Sequence, residues 1–363
     1  MKTLLKPIIL FLILGIVMVS CSKDSDDDTN NNNQPLPPNL PEVNKYMGAA
    51  SYGDIILYEV DETNNTYTYY NETTNQSGSG SFVISNDPIL QGVYEVTIGA
   101  DKFYGVELAD EIFATSLPSG RTENKLSIAI SAELDLSSNY SLADLAGKYL
   151  CINFDENSYN DSTVWGGLEL KADGTYTFSF GPNDPVDFDE NKHFAGIDNG
   201  TFAVDPNNPS RLIVHSNIDN IDYVGTIYPD KIIVVDNGVG NGFSVGIEYP
   251  SAHVSQASVA GIYRFLDITT DGYQGVGYYN IPASGGNLDY GWKYNTPSIP
   301  AGTGTATNFA AINQVNNLFE CSVVDGNDVF HTDFIILPGE IMLHFCWGEN
   351  SGLVSYGIGA KIN

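Results

Sequence analysis

The sequence is short of the groups on which most familiar chemistry depends. Only 15 of its 363 residues are Lys or Arg, against 45 Asp or Glu, giving a formal charge of −30. A polyanion is gripped through clustered Lys and Arg, so this balance argues against nucleic acid as a partner, and against direct binding to anionic lipid head groups. Cysteines number four and no Cys-x-x-Cys pair occurs, which removes the thioredoxin-like and zinc-knuckle readings. The five histidines, His193, His215, His253, His331 and His344, are scattered, with no His-x-His or His-Glu-x-x-His. There is no Gly-x-Ser-x-Gly elbow for a nucleophilic serine. After residue 20 no apolar run is long enough to hold a membrane, and after residue 45 no amphipathic helical pattern exceeds about two turns.

What is present begins at the N-terminus. MKTLLKPIILFLILGIVMVS places Lys2 and Lys6 ahead of an apolar run from Ile8 to Val19. The run is shorter than the roughly 20 residues a spanning helix needs and has the charged-then-apolar order of a secretory signal. It ends at Ser20-Cys21, which resembles the lipobox of bacterial lipoproteins, with Met18 where that family most often has Leu. The resemblance implies a signal peptide over 1–20 and a lipid, of the palmitate kind, on Cys21. A lipidated, acidic and Pro-rich tether follows over 21–45. In it, Asp24, Asp26, Asp27 and Asp28 precede Asn30 to Asn33 and QPLPPNLPE. Such a composition buries no apolar area and predicts a disordered leash. The acidic cluster behind the cysteine resembles the export signal of surface lipoproteins in Bacteroidota, which implies an outer-membrane position facing the cell exterior. Acyl chains contribute about 0.8 kcal/mol per buried CH₂, and two or more anchor stably.

The exported part, 343 residues from Cys21 to Asn363, reads as all-β. LELKADGTYTFSF and RLIVHS alternate apolar with polar residues, the first around an Asp-Gly turn. Internal repeats set the organisation. At one offset of 120 residues, Gly80-Ser-Phe matches Gly200-Thr-Phe, Tyr104-Gly-Val matches Val224-Gly-Thr, and Ala109-Asp-Glu-Ile matches Pro229-Asp-Lys-Ile. Pro338-Gly-Glu-Ile repeats the last of these. Leu145-Ala-Gly-Lys-Tyr and Val259-Ala-Gly-Ile-Tyr open two copies, each led by a serine, Ser141 or Ser255, placed to cap one helical turn. Three tandem antiparallel meander modules follow, over 46–140, 141–254 and 255–363, each a small barrel or sandwich because either shortens exposed edges. The Gly-x-Tyr opening and hairpin order of the second module resemble lipocalin-like modules of Bacteroidota lipoproteins, which implies a fold and no functional residues.

For chemistry the sequence offers candidates only. Asp61-Glu62, Asp155-Glu156, Asp187 and Asp189-Glu190 supply paired carboxylates, the requirement for an envelope polysaccharide hydrolase. Calcium stays open as a cofactor in the oxygen-rich stretches 181–191 and 205–208, although Asp187-Phe-Asp189-Glu-Asn191 has Lys192 where an EF-hand loop needs Gly. Cys321 and Cys346 lie in strand-like segments, where a disulfide and two free thiols are both admissible. The strongest binding signal is aromatic. Tyr67 and Tyr69, and Tyr278, Tyr279, Tyr290 and Trp292 among glycines, would offer flat faces for stacking a sugar ring. The expected role is therefore non-catalytic binding or scaffolding, with glycan as the ligand class, and the alternatives are the hydrolase or a carrier of a small apolar ligand. Replacing the lipidated residue, Cys21→Ser, is expected to move the protein from the membrane pellet to the soluble fraction on cell fractionation; retention in the pellet would contradict the anchor.

Overall fold

A computed structural model describes residues 44–362 apart from 51–53, 100, 109–111, 117–128, 134–139, 155–164, 182–186, 197, 229–231, 239–241, 270–272, 296–299, 339–340 and 351–353. Cys21, residues 21–43 of the tether and the three two-residue turns 110–111, 230–231 and 339–340 thus lie outside the described residues, while Asn44 and Lys45, expected to end the tether, already belong to the first strand. From Pro41 onward the chain is one compact unit.

The expected all-β class with three tandem antiparallel meanders is what the chain adopts. The first meander has nine strands: β1 (Asn44–Ala50), β2 (Asp54–Asp61), β3 (Thr66–Asn71), β4 (Gln76–Ser81), β5 (Val83–Ile84), β6 (Tyr94–Ile98), β7 (Asp101–Leu108), β8 (Ile112–Thr115) and β9 (Ala129–Glu133). The second runs β10 (Gly147–Phe154), β11 (Trp165–Leu170), β12 (Thr175–Phe180), β13 (Asp198–Asp205), β14 (Asn208–Ser216), β15 (Ile221–Tyr228), β16 (Ile232–Asp236) and β17 (Phe243–Glu248). The third runs β18 (Gly261–Thr269), β19 (Gln274–Ile281), β20 (Leu288–Tyr294), β21 (Gly302–Ala311), β22 (Leu318–Asp325), β23 (Asp328–Ile336), β24 (Ile341–Gly348) and β25 (Val354–Ile362). Within each meander consecutive strands pair, except β4 with β5, and the last returns to the first: β9 on β1, β17 on β10, β25 on β18. The second and third sheets close into barrels; the first stays open between β4 and β5, two strands separated only by Phe82.

Short helices lead into the second and third rings. Helix α1 (Leu142–Leu145) is capped by Ser141, whose side chain accepts from Asp144 N while the Asp144 carboxylate takes the Ser141 N–H, a capping box. Helix α2 (Glu190–His193) has Asp189 as its cap, and α3 (Gln256–Val259) has Ser255. The Asp-Gly hairpin sits between β11 and β12, with Gly174 at φ +82°, a backbone shape that glycine adopts without penalty.

One feature recurs in all three rings at the same register. On the third strand an aromatic side chain faces inward and lies across a glycine of the fourth: Tyr67 opposite Gly80, Tyr176 opposite Gly200, Tyr290 opposite Gly304. A Cβ on Gly80 would meet the Tyr67 ring at 2.7 Å, one on Gly200 the Tyr176 ring at 2.8 Å, and one on Gly304 the Tyr290 ring at 2.6 Å. The ring covers backbone that a glycine leaves bare and fills the barrel at the same time. Tyr69 over Gly78 and Trp292 over Gly302 repeat the step one pair along the ladder.

Inside each ring sits an aromatic cluster, for example Tyr46, Tyr58, Phe82, Tyr94 and Phe113 in the first. A further cluster joins the rings to one another. Ala49, Val106 and Ile112 of the first, Ile152, Val234 and Val245 of the second, and Leu266, Leu343 and Ile358 of the third belong to it. Strands at this junction are buried on both faces. In β24, Met342 points into its barrel and Leu343 into the shared core; in β16, Ile233 and Val234 divide likewise. That requirement explains why these strands read IIVVD and IMLHFCW, continuous apolar runs, while edge strands such as β4 read QSGSGS.

Candidate functional site

Polar ties across the shared core show how the rings are fixed. Arg264 on β18 is 4 % exposed and donates from Nε to Gln91 O (3.0 Å), from Nη1 to Ile89 O (2.9 Å) and from Nη2 to Pro88 O (3.3 Å). The guanidinium thereby satisfies three carbonyls of the β5–β6 connection, and its face lies 5.3 Å from the Tyr278 ring. The same connection sends Leu90 and Val93 into the shared core. It is thus tied to the third ring through both polar and apolar contacts. Asn316 and Asn317 tie the third ring to the second through Pro250 O (2.8 Å) and Glu248 O (3.1 Å). Arg211 bonds Glu72 to tie the second to the first.

The aromatic candidates divide by position. Tyr67 and Tyr279 are buried, at 2 % and 9 % exposure, and belong to ring interiors rather than to a surface platform. Tyr69, Tyr278, Tyr290 and Trp292 are half-buried. Tyr290 and Trp292 stack on each other at 5.4 Å and 25°, on the inward face of β20. The glycines beside them, expected to admit a ligand to the backbone, instead seat these rings. The candidates sit on two different rings.

Among the paired carboxylates, Asp155 and Glu156 fall outside the described residues. The Asp61 carboxylate accepts from the Asn64 side-chain amide (2.7 Å) and from its backbone N–H (3.0 Å), and these bonds, the first most, hold its pKa below the usual range. Asp189 caps α2 by accepting from Asn191 N (2.9 Å), and Glu190 accepts from the Tyr249 hydroxyl (2.8 Å). Phe188, inside the would-be calcium loop, is buried against Trp165, His193 and Tyr249. Asp205 takes the Asn207 N–H (2.8 Å) and faces Arg211 at 4.0 Å. Among the described residues no group of three His, Cys, Asp or Glu is placed to hold a metal.

Two carboxylate settings were not visible in the sequence. In the first ring, Glu62 and Glu107 both accept from the single Tyr94 hydroxyl, and Glu107 also accepts from Tyr46 and Asn44. Burial pushes the Glu107 carboxyl up against the lowering effect of those donors. The residues lie 45 apart in sequence, and only the closing of β2 toward β7 brings them together. Between the first and second rings, Asp236 is 9 % exposed and lines a crevice of about 10 Å³ with Ala49, Ile55, Thr226 and Val234. Burial, and then Asp54, push its carboxyl up to about 6 despite the Gly238 N–H it accepts (3.0 Å).

In the third ring, His344 is fully buried and stands 3.8 Å from Asp267 across Gly357. A Cβ on Gly357 would lie 2.2 Å from the imidazole, so glycine is what lets the pair approach across an intervening strand. Cys321 and Cys346 both stand opposite Thr332, on either side of β23. Two inter-strand spacings of about 4.8 Å separate their backbones by about 10 Å, beyond disulfide reach; both are free thiols. His215 pairs with Asp222 (2.8 Å) and His331 with Glu349 (2.8 Å) on the outside.

No protein-family model matches the chain, and no curated protein matches it in sequence. Among solved structures it is similar to a Nostoc punctiforme protein of unknown function from the DUF3598 family, at 11 % identity over 72 % of this chain and 88 % of that one, TM-score 0.22. It is also similar to a double mutant of transferrin-binding protein B from Haemophilus parasuis, at 10 % identity over 85 % of this chain and 65 % of that one, TM-score 0.26. Scores this low carry no argument about ligand or partner.

The Asp236 setting has a consequence in pH. In the unfolded chain its carboxyl ionises near 3.8, in the folded one near 6, so between those values the fold keeps a proton that the unfolded chain releases. Stability therefore falls as pH rises from about 4 to 6 and stays lowered above. Asp236→Asn, which keeps the acceptor for Gly238, is expected to be more stable than the parent by about 1–3 kcal/mol at pH 7.5 and equal to it at pH 3, read by denaturant unfolding at the two pH values. Equal stabilities at pH 7.5 would contradict the assignment.

Proposed function

We propose that this chain is a lipid-anchored lipoprotein of the outer membrane, facing the cell exterior, whose rings serve as a non-catalytic binding scaffold for glycans. The anchor rests on the signal segment and Ser20-Cys21, and the outward orientation on the acidic residues that follow. The binding half is carried by one observation: Tyr290 and Trp292 form a half-buried, near-parallel aromatic pair on the inward face of β20, with Gly304 and Gly302 beneath their rings. A rigid aromatic face loses little entropy on contact and suits the apolar face of a sugar ring, while the Tyr290 hydroxyl and indole N–H supply polar ends.

The alternatives have less beneath them. Of the candidate hydrolase carboxylates, Asp61 and Asp189 are engaged in turn and cap bonds and Glu190 is bonded to Tyr249. A carrier of a small apolar ligand needs room, and the described ring interiors hold the packed side chains of the aromatic clusters. On a glycan array the exported chain is expected to retain a defined set of glycans, and Trp292→Ala to lose about tenfold in affinity or more for that set. An empty array, or a variant that binds as the parent does, would contradict the glycan reading.

A further inference from the structure

Among the described residues the open side of the first ring is a sheet edge without a partner strand, and its backbone groups can be assigned. Phe82 N donates to Asn65 O (3.0 Å), so the pairs 65/82, 67/80, 69/78 and 71/76 are those whose backbones bond each other. Alternation then turns the N–H and C=O of Ser77, Ser79 and Ser81 away from β3, toward the opening. Across it, Ser85 N donates to Val93 O (2.9 Å), which by the same alternation directs the Thr97 backbone of β6 into the opening. Beyond Phe82, among the described residues, β5 pairs with β6 through Val83 and Ile84 alone. The result is a seam, closed at Phe82 and widening between β4 and the end of β6.

Natural sheets protect such edges with charge, proline or a covering element. Gln-Ser-Gly-Ser-Gly-Ser carries neither charge nor proline, in a chain with 45 acidic residues. Beside the seam stand three exposed apolar side chains, Val83 at 65 %, Ile84 at 44 % and Ile98 at 49 % exposure. At its closed end, where the Phe82 ring stacks on Tyr94 at 4.4 Å, Glu62 and Glu107 share the one proton of the Tyr94 hydroxyl. Glu107 also accepts from Tyr46 and Asn44, and the two neighbouring carboxylates together carry negative charge that a cationic side chain would complement.

We propose that the seam between β4 and β6 is a docking site for an extended segment of a partner protein, which pairs with Ser77, Ser79 and Ser81 as an added strand and presents a Lys or Arg to Glu62 and Glu107. Backbone bonds supply the affinity of such strand addition, and side chains its selectivity. Of the exposed apolar side chains nearby, Val83 alternates onto the outer face, while Ile84 and Ile98 share the inward face of Tyr94 and Val96. The surface is separate from the Tyr290–Trp292 pair, so the two readings stand or fall independently.

The test uses the whole exported chain and a fluorescein-labelled peptide of alternating threonine and valine with one lysine, followed by fluorescence anisotropy. A second peptide carries glutamate in place of the lysine. Ser79→Pro removes the central outward N–H and leaves the bonds between β4 and β3 in place, a position where an edge strand accepts proline. The lysine peptide is expected to bind, Ser79→Pro to weaken it by about tenfold or more, and Glu62→Gln by several-fold, with unchanged thermal melting. The glutamate peptide is expected not to bind. Equal binding of the two peptides, no binding of either, or an unaltered affinity in Ser79→Pro with its fold intact would overturn the proposal. So would a parent that is dimeric by light scattering and monomeric as Ser79→Pro, since the occupant would then be a second copy.

Discussion

The shared apolar core constrains the rest of the molecule. A lone eight-stranded meander needs one apolar face per strand, turned inward; here the strands that border the junction need two. Val234, Val245, Leu266, Leu343 and Ile358 point out of their own rings and are still enclosed. Each such side chain, removed from water, contributes about 1.5–3 kcal/mol that an isolated ring would forgo. The same demand places Leu90 and Val93 of the β5–β6 connection in the junction, where Arg264 holds the connection's carbonyls. The three rings are thus parts of one compact unit.

Much of this was legible in the sequence where the periodicity was local. Alternation, the Asp173-Gly174 hairpin and the serine caps at Ser141 and Ser255 each depend on residues a few positions apart, and each has its expected form. The repeat at offset 120 marks equivalent parts of the first two rings, since Phe82 and Phe202 both sit on or beside the fourth strand. The deeper repeat, an aromatic residue on the third strand over a glycine on the fourth, escaped notice because its two halves lie 13, 24 and 14 residues apart in the three rings. Variable loop lengths hide a register that strand pairing makes plain.

The site residues were harder to read for a related reason. Tyr67 and Tyr69 share one face of β3, yet the first is enclosed and the second half-buried, which depends on depth along the ring axis; Tyr278 and Tyr279 take opposite faces of β19, Tyr279 inward and Tyr278 against Arg264. The Glu62–Tyr94–Glu107 and Asp267–His344 settings join residues from distant strands, and no spacing rule anticipates them. Cys321 and Cys346 look like a cross-strand pair in sequence; the intervening β23 separates them.

Differential scanning calorimetry of the exported chain measures the central claim most directly. If the junction makes the rings one cooperative unit, the chain unfolds in a single transition whose calorimetric and van't Hoff enthalpies agree, and Leu343→Ala shifts that transition as a whole. Two or three separable transitions, with only the last-ring transition moved by the substitution, would contradict it.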